Sequence, residues 1–421
     1  MSDGISHVLG IGAGPANLSL AALADPCDDV MVTLLESRKI PSWHPGLLWG
    51  GSRLQVSPVK DLVSLVDPTS RYSFLNFLHE EGRLYRHLIA GSAYISRMEF
   101  DQYFRWAAKK LPVHLDSTVQ SVDHDGQSFV VRTDATTWRT KNLVLGIGQS
   151  PRMPPCAGNV RSDLMWHSSD HLRHNRPMGG KNVLLVGGGQ SAAEIALDVL
   201  SGRTGLPRQF TWASGREGFV PMDDSPFTND WFNPSYVEHF HGLPGQRRSE
   251  LLNRQMPAHG GIDTALLDQL YRRLYEIDYL LPEGVDHKLM AGSRLTWLEK
   301  NSSGFAAVLD NPDTCEKRVA QPDYVILATG YRPVIPEFMG PLGDRLELAD
   351  GSYQLGMDYR VEWHGPPGHR IYAQNAAQAT HGVADPNLSL IAWRSAVILN
   401  SIAEREIYAL KEADITISLN R

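Results

Sequence analysis

Short apolar runs alternate with glycine-rich turns along this chain, and the first alternation lies at its start. Residues 6–9 read Ser-His-Val-Leu, an apolar, Ala-rich stretch covers residues 18–23, and a further run, Val30 to Leu35, ends at Glu36. Short apolar runs are typical of buried strands, and an Ala-rich stretch between them is typical of a helix. The turn before the helix, at residues 10–15, reads Gly-Ile-Gly-Ala-Gly-Pro. The pattern therefore predicts a βαβ unit.

This first unit has the features of a dinucleotide-binding fold. We expect Gly10 to make the tight turn and Gly12 to let the backbone approach a pyrophosphate at the helix N-terminus. Gly14 belongs to the same turn, and Pro15 stands at the third glycine position, where it is compatible with the first turn of a helix. Glu36 follows at about the twenty-residue spacing at which a carboxylate accepts hydrogen bonds from a ribose. The unit predicts a ligand with a ribose and a diphosphate.

The same pattern recurs in the middle of the chain. The apolar run 181–186 leads into a Gly-Gly-Gly-Gln-Ser-Ala turn, an apolar helix pattern follows from residue 193 to residue 200, and Gln209 to Ala213 is the next predicted strand. This unit ends in Ser-Gly-Arg instead of an acid. Because Ser and Arg suit a 2′-phosphate, the unit favours NADPH over NADH. The expected contacts are Gly187, Gly189, Gln190, Ser191, Ser214 and Arg216.

Two nucleotide units in one chain imply two nucleotide ligands. We assign FAD to the first unit and NADPH to the second, which predicts a flavin-dependent oxidoreductase. A disulfide reductase would need a paired redox cysteine motif, and the three cysteines (Cys27, Cys156 and Cys315) are far apart. A simple dehydrogenase would need only one nucleotide unit.

The remaining apolar pattern predicts how the two units are connected. The runs 141–145 and 323–327 both end in abrupt glycine turns, and we expect both to return to the first sheet, on either side of the inserted second unit. Residues 111–140 read as a small antiparallel excursion. Amphipathic spacing predicts helices over 247–255 and 262–278.

The predicted fold class is α/β, with two dinucleotide-binding (Rossmann-like) domains and a small helical subdomain on the substrate side. The NADPH domain is inserted in the FAD domain. The predicted boundaries are 1–160 and 320–421 for the FAD-binding domain, 161–222 and 291–319 for the NADPH-binding domain, and 223–290 for the helical subdomain.

Composition narrows the function classes. The chain has 421 residues, enough for two to three domains, and a net charge of −7 that argues against a general nucleic-acid or anionic-membrane surface. No apolar run reaches membrane-spanning length, and the sequence enters its first strand almost at once, without room for a signal peptide. We therefore expect a cytoplasmic protein. The histidines show no metal-ligand spacing, so we expect no metal.

Five motifs between and after the nucleotide units resemble one family. They are Ser-Trp-His-Pro-Gly at 42–46, Leu-Gln-Val-Ser-Pro-Val-Lys-Asp-Leu at 54–62, the run 67–78, Ala-Thr-Gly-Tyr at 328–331 and Thr-His-Gly-Val-Ala-Asp-Pro-Asn-Leu-Ser-Leu at 380–390. Together they resemble the flavin-dependent N-hydroxylating monooxygenases of siderophore biosynthesis, which act on the terminal amine of ornithine, lysine or an aliphatic diamine. The resemblance implies that NADPH reduces FAD, that a C4a-hydroperoxide forms with oxygen, and that a neutral amine attacks it. It also implies a homo-oligomer, a dimer or tetramer.

The resemblance also implies roles for individual residues. Gln55 would lie near the reactive edge of the flavin, and Asn229 on the substrate and nicotinamide side. Lys60 matches the residue that pairs with the substrate carboxylate in the amino-acid-hydroxylating members, and Ser389 the serine that reaches the substrate amine. Further cofactor contacts are expected from Trp43, His44, Thr329 and Tyr331.

The sequence leaves the amine open. Residues 260–263 read Gly-Gly-Ile-Asp where ornithine hydroxylases carry Asn-Tyr-Ser, so ornithine is disfavoured, and L-lysine, cadaverine and putrescine remain. Lys60 favours a substrate with a carboxylate, because a diamine offers nothing anionic. The competing functions are an L-ornithine N5-hydroxylase, a Baeyer–Villiger or heteroatom flavin oxygenase, and a non-catalytic nucleotide-binding protein.

Overall fold

The computed structural model describes residues 6–54, 56–91, 94–281, 284–411 and 415–419. Its first sheet has five parallel strands, and the predicted βαβ unit at the start of the chain lies within it. Helix Pro15–Ala24 is buried along its whole length and packs against helix Ile391–Ala403. In sheet order, the strands are Arg370–Ala373, Asn142–Leu145, Ser6–Ile11, Val30–Leu35 and Val113–His114.

A second sheet of five parallel strands carries the second glycine turn. Helix Gln190–Leu200 follows this turn, as the pattern predicts. In sheet order, the strands are Asp286–Met290, Gln209–Ala213, Asn182–Val186, Tyr324–Leu327 and Met165–His167.

Two strands of this second sheet were expected elsewhere. Tyr324–Leu327 pairs with Asn182–Val186 and does not return to the first sheet, so that prediction was wrong. All four of its residues are buried, and an apolar run of this kind fits the centre of either sheet equally well. Asp286–Met290 falls within the range expected for the helical subdomain but pairs with Gln209–Ala213.

The helical subdomain contains both helices that amphipathic spacing predicts. Gly245–Arg254 and Thr264–Tyr279 cover the two expected positions, and the second packs against helix Gln190–Leu200. Its buried face consists of Leu266, Leu270 and Ile277. Three further helices complete the segment: Pro226–Asn229, Pro234–His241 and Met256–Gly260.

Two of the antiparallel sheets have three strands each. The first confirms most of the expected excursion, although Val113–His114 joins the first parallel sheet instead. The strands of the two sheets are Val119–His124, Phe129–Thr133 and Thr137–Thr140, and Arg294–Lys300, Phe305–Asn311 and Glu316–Ala320. A longer helix, Arg97–Lys110, lies outside the helical segment. The short helices outside that segment are Phe74–Glu80, Leu84–Ala90, His171–His174 and Gln378–His381.

The chain crosses between the two parallel sheets twice, and the two crossings lie side by side. Ser150–Pro151 pairs with Tyr331–Arg332 in a short antiparallel ribbon. Next to it, the Arg152 N–H donates to the Gly330 carbonyl at 2.9 Å. The chain therefore passes between the two sheets through two adjacent crossings. Within the described ranges, no helix is long and apolar enough to cross a membrane.

Candidate active site

The first glycine turn is shaped by a close chain crossing. Gly12 has a φ of +91°, and a Cβ there would lie 2.5 Å from the Gly146 carbonyl oxygen. Gly14 caps helix Pro15–Ala24, and a Cβ there would have no protein atom nearer than 3.9 Å. The turn is therefore open at Gly14, where the helix N-terminus can receive a phosphate.

Glu36 lies beside this turn. Its Oε2 accepts a hydrogen bond from the Ala13 N–H at 3.0 Å, and its Oε1 accepts one from the Arg38 N–H at 3.0 Å. The carboxylate at the end of the second strand is thus held next to the phosphate-binding turn, as a ribose-binding acid requires.

A buried polar network behind the turn was not predicted. The Asn17 Nδ2 donates to the Gly12 carbonyl at 2.8 Å, and the Asn17 Oδ1 accepts from the Gln374 Nε2 at 2.9 Å. The Gln374 Oε1 accepts from the Arg394 Nε at 3.1 Å, and Arg394 pairs with Asp385 at 2.8 Å. The network ties the glycine turn to the C-terminal 380–390 motif. Asn17 follows the first glycine turn in the sequence, and Asp385 belongs to the 380–390 motif, but no sequence signal links these two residues through Gln374.

Trp43 and His44 are placed by an anchored loop. The Trp43 N–H donates to the buried Asp101 carboxylate at 2.6 Å, and the Trp43 ring meets Phe104 edge-on. His44 has a left-handed backbone, with a φ of 49°, and its ring lies 6.0 Å from the ring of Tyr331. His44 and Tyr331, both predicted cofactor contacts, therefore lie together beside the ribbon that connects the two sheets.

The electrostatic environment of His44 favours the neutral ring. Desolvation lowers the pKa of His44, and the guanidinium groups of Arg97 and Arg38 lower it further. The His44 side chain is nevertheless exposed at the surface. A neutral imidazole there can both donate and accept a hydrogen bond.

Lys60 and Ser389, both predicted substrate contacts, meet in the structure. The Lys60 Nζ donates to the Ser389 Oγ at 3.1 Å, and the Ser389 Oγ donates to the Asn387 Oδ1 at 2.8 Å. Ser389 is buried and Lys60 is half-buried. Since the serine proton is taken by Asn387, the free lone pair of Ser389 can only accept.

Burial lowers the pKa of Lys60. No carboxylate of the described residues forms an ion pair with it or contributes to this shift. Lys60 is therefore a partly desolvated amine whose Nζ donates to the Ser389 hydroxyl. An anionic ligand group would relieve the cost of its burial.

Of the two predicted catalytic residues, Asn229 is described by the structure. Asn229 ends the short helix Pro226–Asn229 with an exposed side chain, and its Nδ2 donates to the Asp224 carbonyl at 2.9 Å. Among the contacts of the described residues, none joins Asn229 to Lys60 or Ser389. Gln55 lies outside the described residues.

The second glycine turn opens onto a cleft of about 620 Å³. Seven of the predicted cofactor contacts line it: Gly187, Gly189, Gln190, Ser191, Arg216, Thr329 and Tyr331. Ser214 is fully buried behind the turn, where its Oγ accepts from the Arg216 N–H at 3.1 Å. A Cβ on Gly188 would overlap this hydroxyl. Ser214 thus fixes the shape of the turn.

Three guanidinium groups give the cleft a positive lining. Arg216 donates to the Gly260 carbonyl, and burial alone lowers its pKa, without a carboxylate partner among the described residues. Arg152 and Arg294 line the same cleft and were not predicted. A cleft with several unshielded guanidinium groups suits the phosphates of NADPH.

The segment 260–263 also lies against the nucleotide residues. Besides the Gly260 contact with Arg216, the Asp263 N–H donates to the Gln190 Oε1 at 2.9 Å. The sequence difference from ornithine hydroxylases in this segment therefore adjoins the nucleotide cleft. The residues that bear on the choice of amine are the predicted substrate contacts, Lys60 and Ser389.

Both glycine turns fit their expected nucleotides. The first turn is open at Gly14 beside the Glu36 carboxylate, and the second faces a cleft lined by three arginine side chains. Among the described residues, no group of three or more His, Cys, Asp or Glu side chains is arranged to hold a metal ion.

Two parallel sheets, each with a glycine turn at the start of a helix, are typical of an oxidoreductase that binds two nucleotides. The model of the family described as L-lysine 6-monooxygenase/L-ornithine 5-monooxygenase matches residues 5–333. The chain belongs to this family, which confirms the resemblance drawn from its motifs.

Similar proteins support this membership over nearly the full length of the chain. The L-lysine N6-monooxygenase of Escherichia coli is 35% identical over 407 residues, covering 96% of this chain and 95% of that protein. The structure of the FAD-bound cadaverine monooxygenase of Erwinia amylovora has a TM-score of 0.91 and 30% identity, covering 99% of this chain and 98% of that one. The ornithine N-hydroxylase of Kutzneria, with reduced FAD, NADP⁺ and L-ornithine, has a TM-score of 0.86 and 30% identity, with coverage of 95% and 99%.

The protein is therefore a flavin-dependent N-monooxygenase, and its cofactors are FAD and NADPH. The three similar proteins are named for three different amines: lysine, cadaverine and ornithine.

Proposed function

We propose that this enzyme hydroxylates the terminal amine of L-lysine, as a step in the assembly of a hydroxamate siderophore. The observation that carries this choice is the half-buried Lys60 side chain, which donates to the Ser389 hydroxyl and has no carboxylate partner among the described residues. An α-amino acid has a carboxylate that can pair with Lys60 and an α-ammonium that can donate to the Ser389 hydroxyl. The amine that Ser389 contacts is then the α-amine.

The chemistry of the two side chains supports an amino acid head group. Lys60 can only donate, so it pairs with a carboxylate in a charge-assisted hydrogen bond. The available lone pair of Ser389 accepts an N–H. A diamine would instead bring a second ammonium towards Lys60, where like charges repel.

The other site residues have proposed roles in holding the cofactors. Gly10, Gly12, Gly14, Pro15 and Glu36 receive the diphosphate and ribose of FAD, and Trp43 and His44 flank its reactive part. The second turn, with Arg216, receives NADPH and its 2′-phosphate. Bound FAD, once reduced by NADPH, supplies the oxygen-transfer chemistry.

The protein has to deliver the terminal amine of the substrate in its neutral form. A free alkyl amine has a pKa of about 10.4 in water, and burial lowers it. The amide groups of Gln55 and Asn229 are proposed to orient the amine and the nicotinamide. Neither residue has to accept a proton in this proposal.

Cadaverine is the second candidate, and two observations favour it. Burial lowers the pKa of Lys60, which favours the neutral amine that a diamine would tolerate. The structural similarity to a cadaverine monooxygenase is also high, with a TM-score of 0.91. In this alternative, Lys60 holds Ser389 and does not contact a carboxylate.

The test is hydroxylamine formation by the purified, FAD-supplemented enzyme with NADPH. L-Lysine, cadaverine, putrescine and L-ornithine are compared side by side. The proposal expects the highest kcat/KM with L-lysine. Turnover of a diamine with no product from L-lysine would overturn the L-lysine assignment, and a preference for L-ornithine would show that chain length was misjudged.

A further inference from the structure

A buried ion pair joins the two nucleotide-binding parts of the molecule. The Arg97 Nη1 lies 3.0 Å from the Glu194 Oε2, and the two side chains are only 14% and 4% exposed. Arg97 begins helix Arg97–Lys110 beside the first sheet, whereas Glu194 lies in helix Gln190–Leu200 of the second sheet. The pair therefore crosses between the two units at a place other than the antiparallel ribbon.

On the flavin side, Arg97 is fixed to the segment that leads to Lys60. The Arg97 N–H donates to the Ser52 carbonyl at 3.0 Å, and the Leu54 N–H donates to the Ile95 carbonyl at 2.9 Å. These bonds hold the start of the helix against residues 52–54. A displacement of Arg97 would move the same segment.

On the nucleotide side, Glu194 is fixed to the second glycine turn. The Glu194 Oε1 accepts from the Gln190 Nε2 at 3.0 Å, and the Gln190 Oε1 accepts from the Asp263 N–H at 2.9 Å. Gln190 lines the NADPH cleft. The carboxylate thus links Arg97 to a residue that lines this cleft.

The position of Arg97 also places its charge at the cleft. Its guanidinium lowers the pKa of His44 and opposes the rise that burial gives the pKa of Tyr331. A buried ion pair adds little net stability over an apolar pair of the same shape, but removing one partner leaves the other charge unpaired. The pair is therefore better suited to fixing a geometry than to stabilising the fold.

We propose that Arg97 and Glu194 are positioning residues that set the second glycine turn against the flavin-side segment, so that bound NADPH reaches the flavin. Neither side chain has to touch the reacting atoms. The consequence is that hydride transfer, and not FAD binding, depends on the pair.

The experiment measures flavin reduction by saturating NADPH without oxygen, in the FAD-loaded enzyme. Arg97→Gln and Glu194→Gln should each slow reduction by roughly 10- to 100-fold, since a displacement of about 1 Å has effects of this size. FAD content and reduction by dithionite should be unchanged. The matched control is Asp198→Asn, on the same helix as Glu194, because Asp198 pairs with His171 and Arg203 within the NADPH-binding part.

Two further variants keep the test decisive if a single change lowers folding yield. Arg97→Lys retains the charge and should recover part of the rate. In the double variant Arg97→Gln/Glu194→Gln, the loss should be much smaller than the product of the single losses, because contacting residues are coupled. Reduction at the wild-type rate in both single variants, or losses in the double variant that simply multiply, would overturn the proposal. No amine is used, so this result is independent of the substrate assignment.

Discussion

Lys60 is the side chain that most directly decides the substrate. Replacing it by Met keeps the aliphatic stem and removes the charge. If the α-carboxylate of L-lysine pairs with Lys60, KM for L-lysine should rise by about 10- to 100-fold, the usual worth of a charge-assisted hydrogen bond. Steady-state hydroxylamine formation gives this value. The kcat at saturation should change far less, because the contact is made in both the ground and transition states.

The matched control is Lys39→Met, since Lys39 is exposed and pairs with Asp116 at the surface. The control should behave as wild type. An unchanged KM for L-lysine in the Lys60 variant would contradict the carboxylate contact and favour cadaverine as the substrate.

Arg216 should determine the choice between the two nicotinamide cofactors. Its guanidinium lines the NADPH cleft without a carboxylate partner among the described residues. Arg216→Ala should raise KM for NADPH by about 10- to 100-fold and leave KM for NADH nearly unchanged, because only NADPH carries a 2′-phosphate. Arg203→Ala, which removes a surface guanidinium of the same domain, is the control. Equal losses with both cofactors would contradict the 2′-phosphate assignment.

Between secondary-structure elements, the network behind the first glycine turn should control FAD retention. Gln374→Leu leaves the Asn17 Oδ1 and the Arg394 Nε without their partner, which costs about 1–3 kcal/mol for each unsatisfied buried group. The Kd for FAD should rise, because Asn17 holds the turn. Gln255→Leu is the control, since Gln255 is an equally buried amide that bonds Tyr236 in the helical subdomain. The Gln255→Leu variant should have a lower free energy of unfolding and an unchanged affinity for FAD. Equal Kd values for FAD in the Gln374→Leu and Gln255→Leu variants would contradict the proposed role of Gln374.

His381, in the C-terminal 380–390 motif, should make the free energy of unfolding depend on pH. Burial lowers its pKa to about 3, and its ring stacks on Tyr359 with centroids 4.1 Å apart. Below about pH 6.5 the unfolded chain therefore binds a proton that the folded chain excludes. This contribution to the free energy of unfolding is complete above about pH 6.5 and is lost as the pH falls towards 3.

His381→Gln should flatten this dependence. Denaturant unfolding at about pH 7 and about pH 5.5 should show wild-type protein losing about 1 kcal/mol more than the variant between the two values. His364→Gln, at an exposed histidine, should keep the wild-type slope. Parallel slopes for wild type and His381→Gln would contradict the burial argument.

The elements differ in how much of their placement the sequence determines. The first βαβ unit and helices Gly245–Arg254 and Thr264–Tyr279 follow from local pattern, because glycine turns and amphipathic spacing are local signals. The strand Tyr324–Leu327 was placed in the wrong sheet, since its buried run pairs equally well with either one. Lys60 and Ser389 were named separately, but they are 329 residues apart and only the fold brings them together. Arg152 and Arg294 were not predicted, because neither belongs to a recognisable sequence motif.

Across the complete fold, the two nucleotide-binding units are linked by a short antiparallel ribbon and by the Arg97–Glu194 ion pair, and the second glycine turn opens onto a cleft. This arrangement explains how one chain can use two nucleotides in succession. NADPH oxidation alone does not require the amine to be placed correctly. The coupling of NADPH oxidation to hydroxylation of the amine therefore depends on the whole assembled protein.

The most direct measurement is therefore the amount of hydroxylamine formed for each NADPH oxidised, using FAD-loaded enzyme and saturating L-lysine. The account predicts a ratio approaching about one, as oxygen transfer to the amine requires, and a marked fall when L-lysine is withheld. NADPH oxidation that yields only hydrogen peroxide with L-lysine, cadaverine, putrescine and L-ornithine alike would contradict the assignment of an amine substrate.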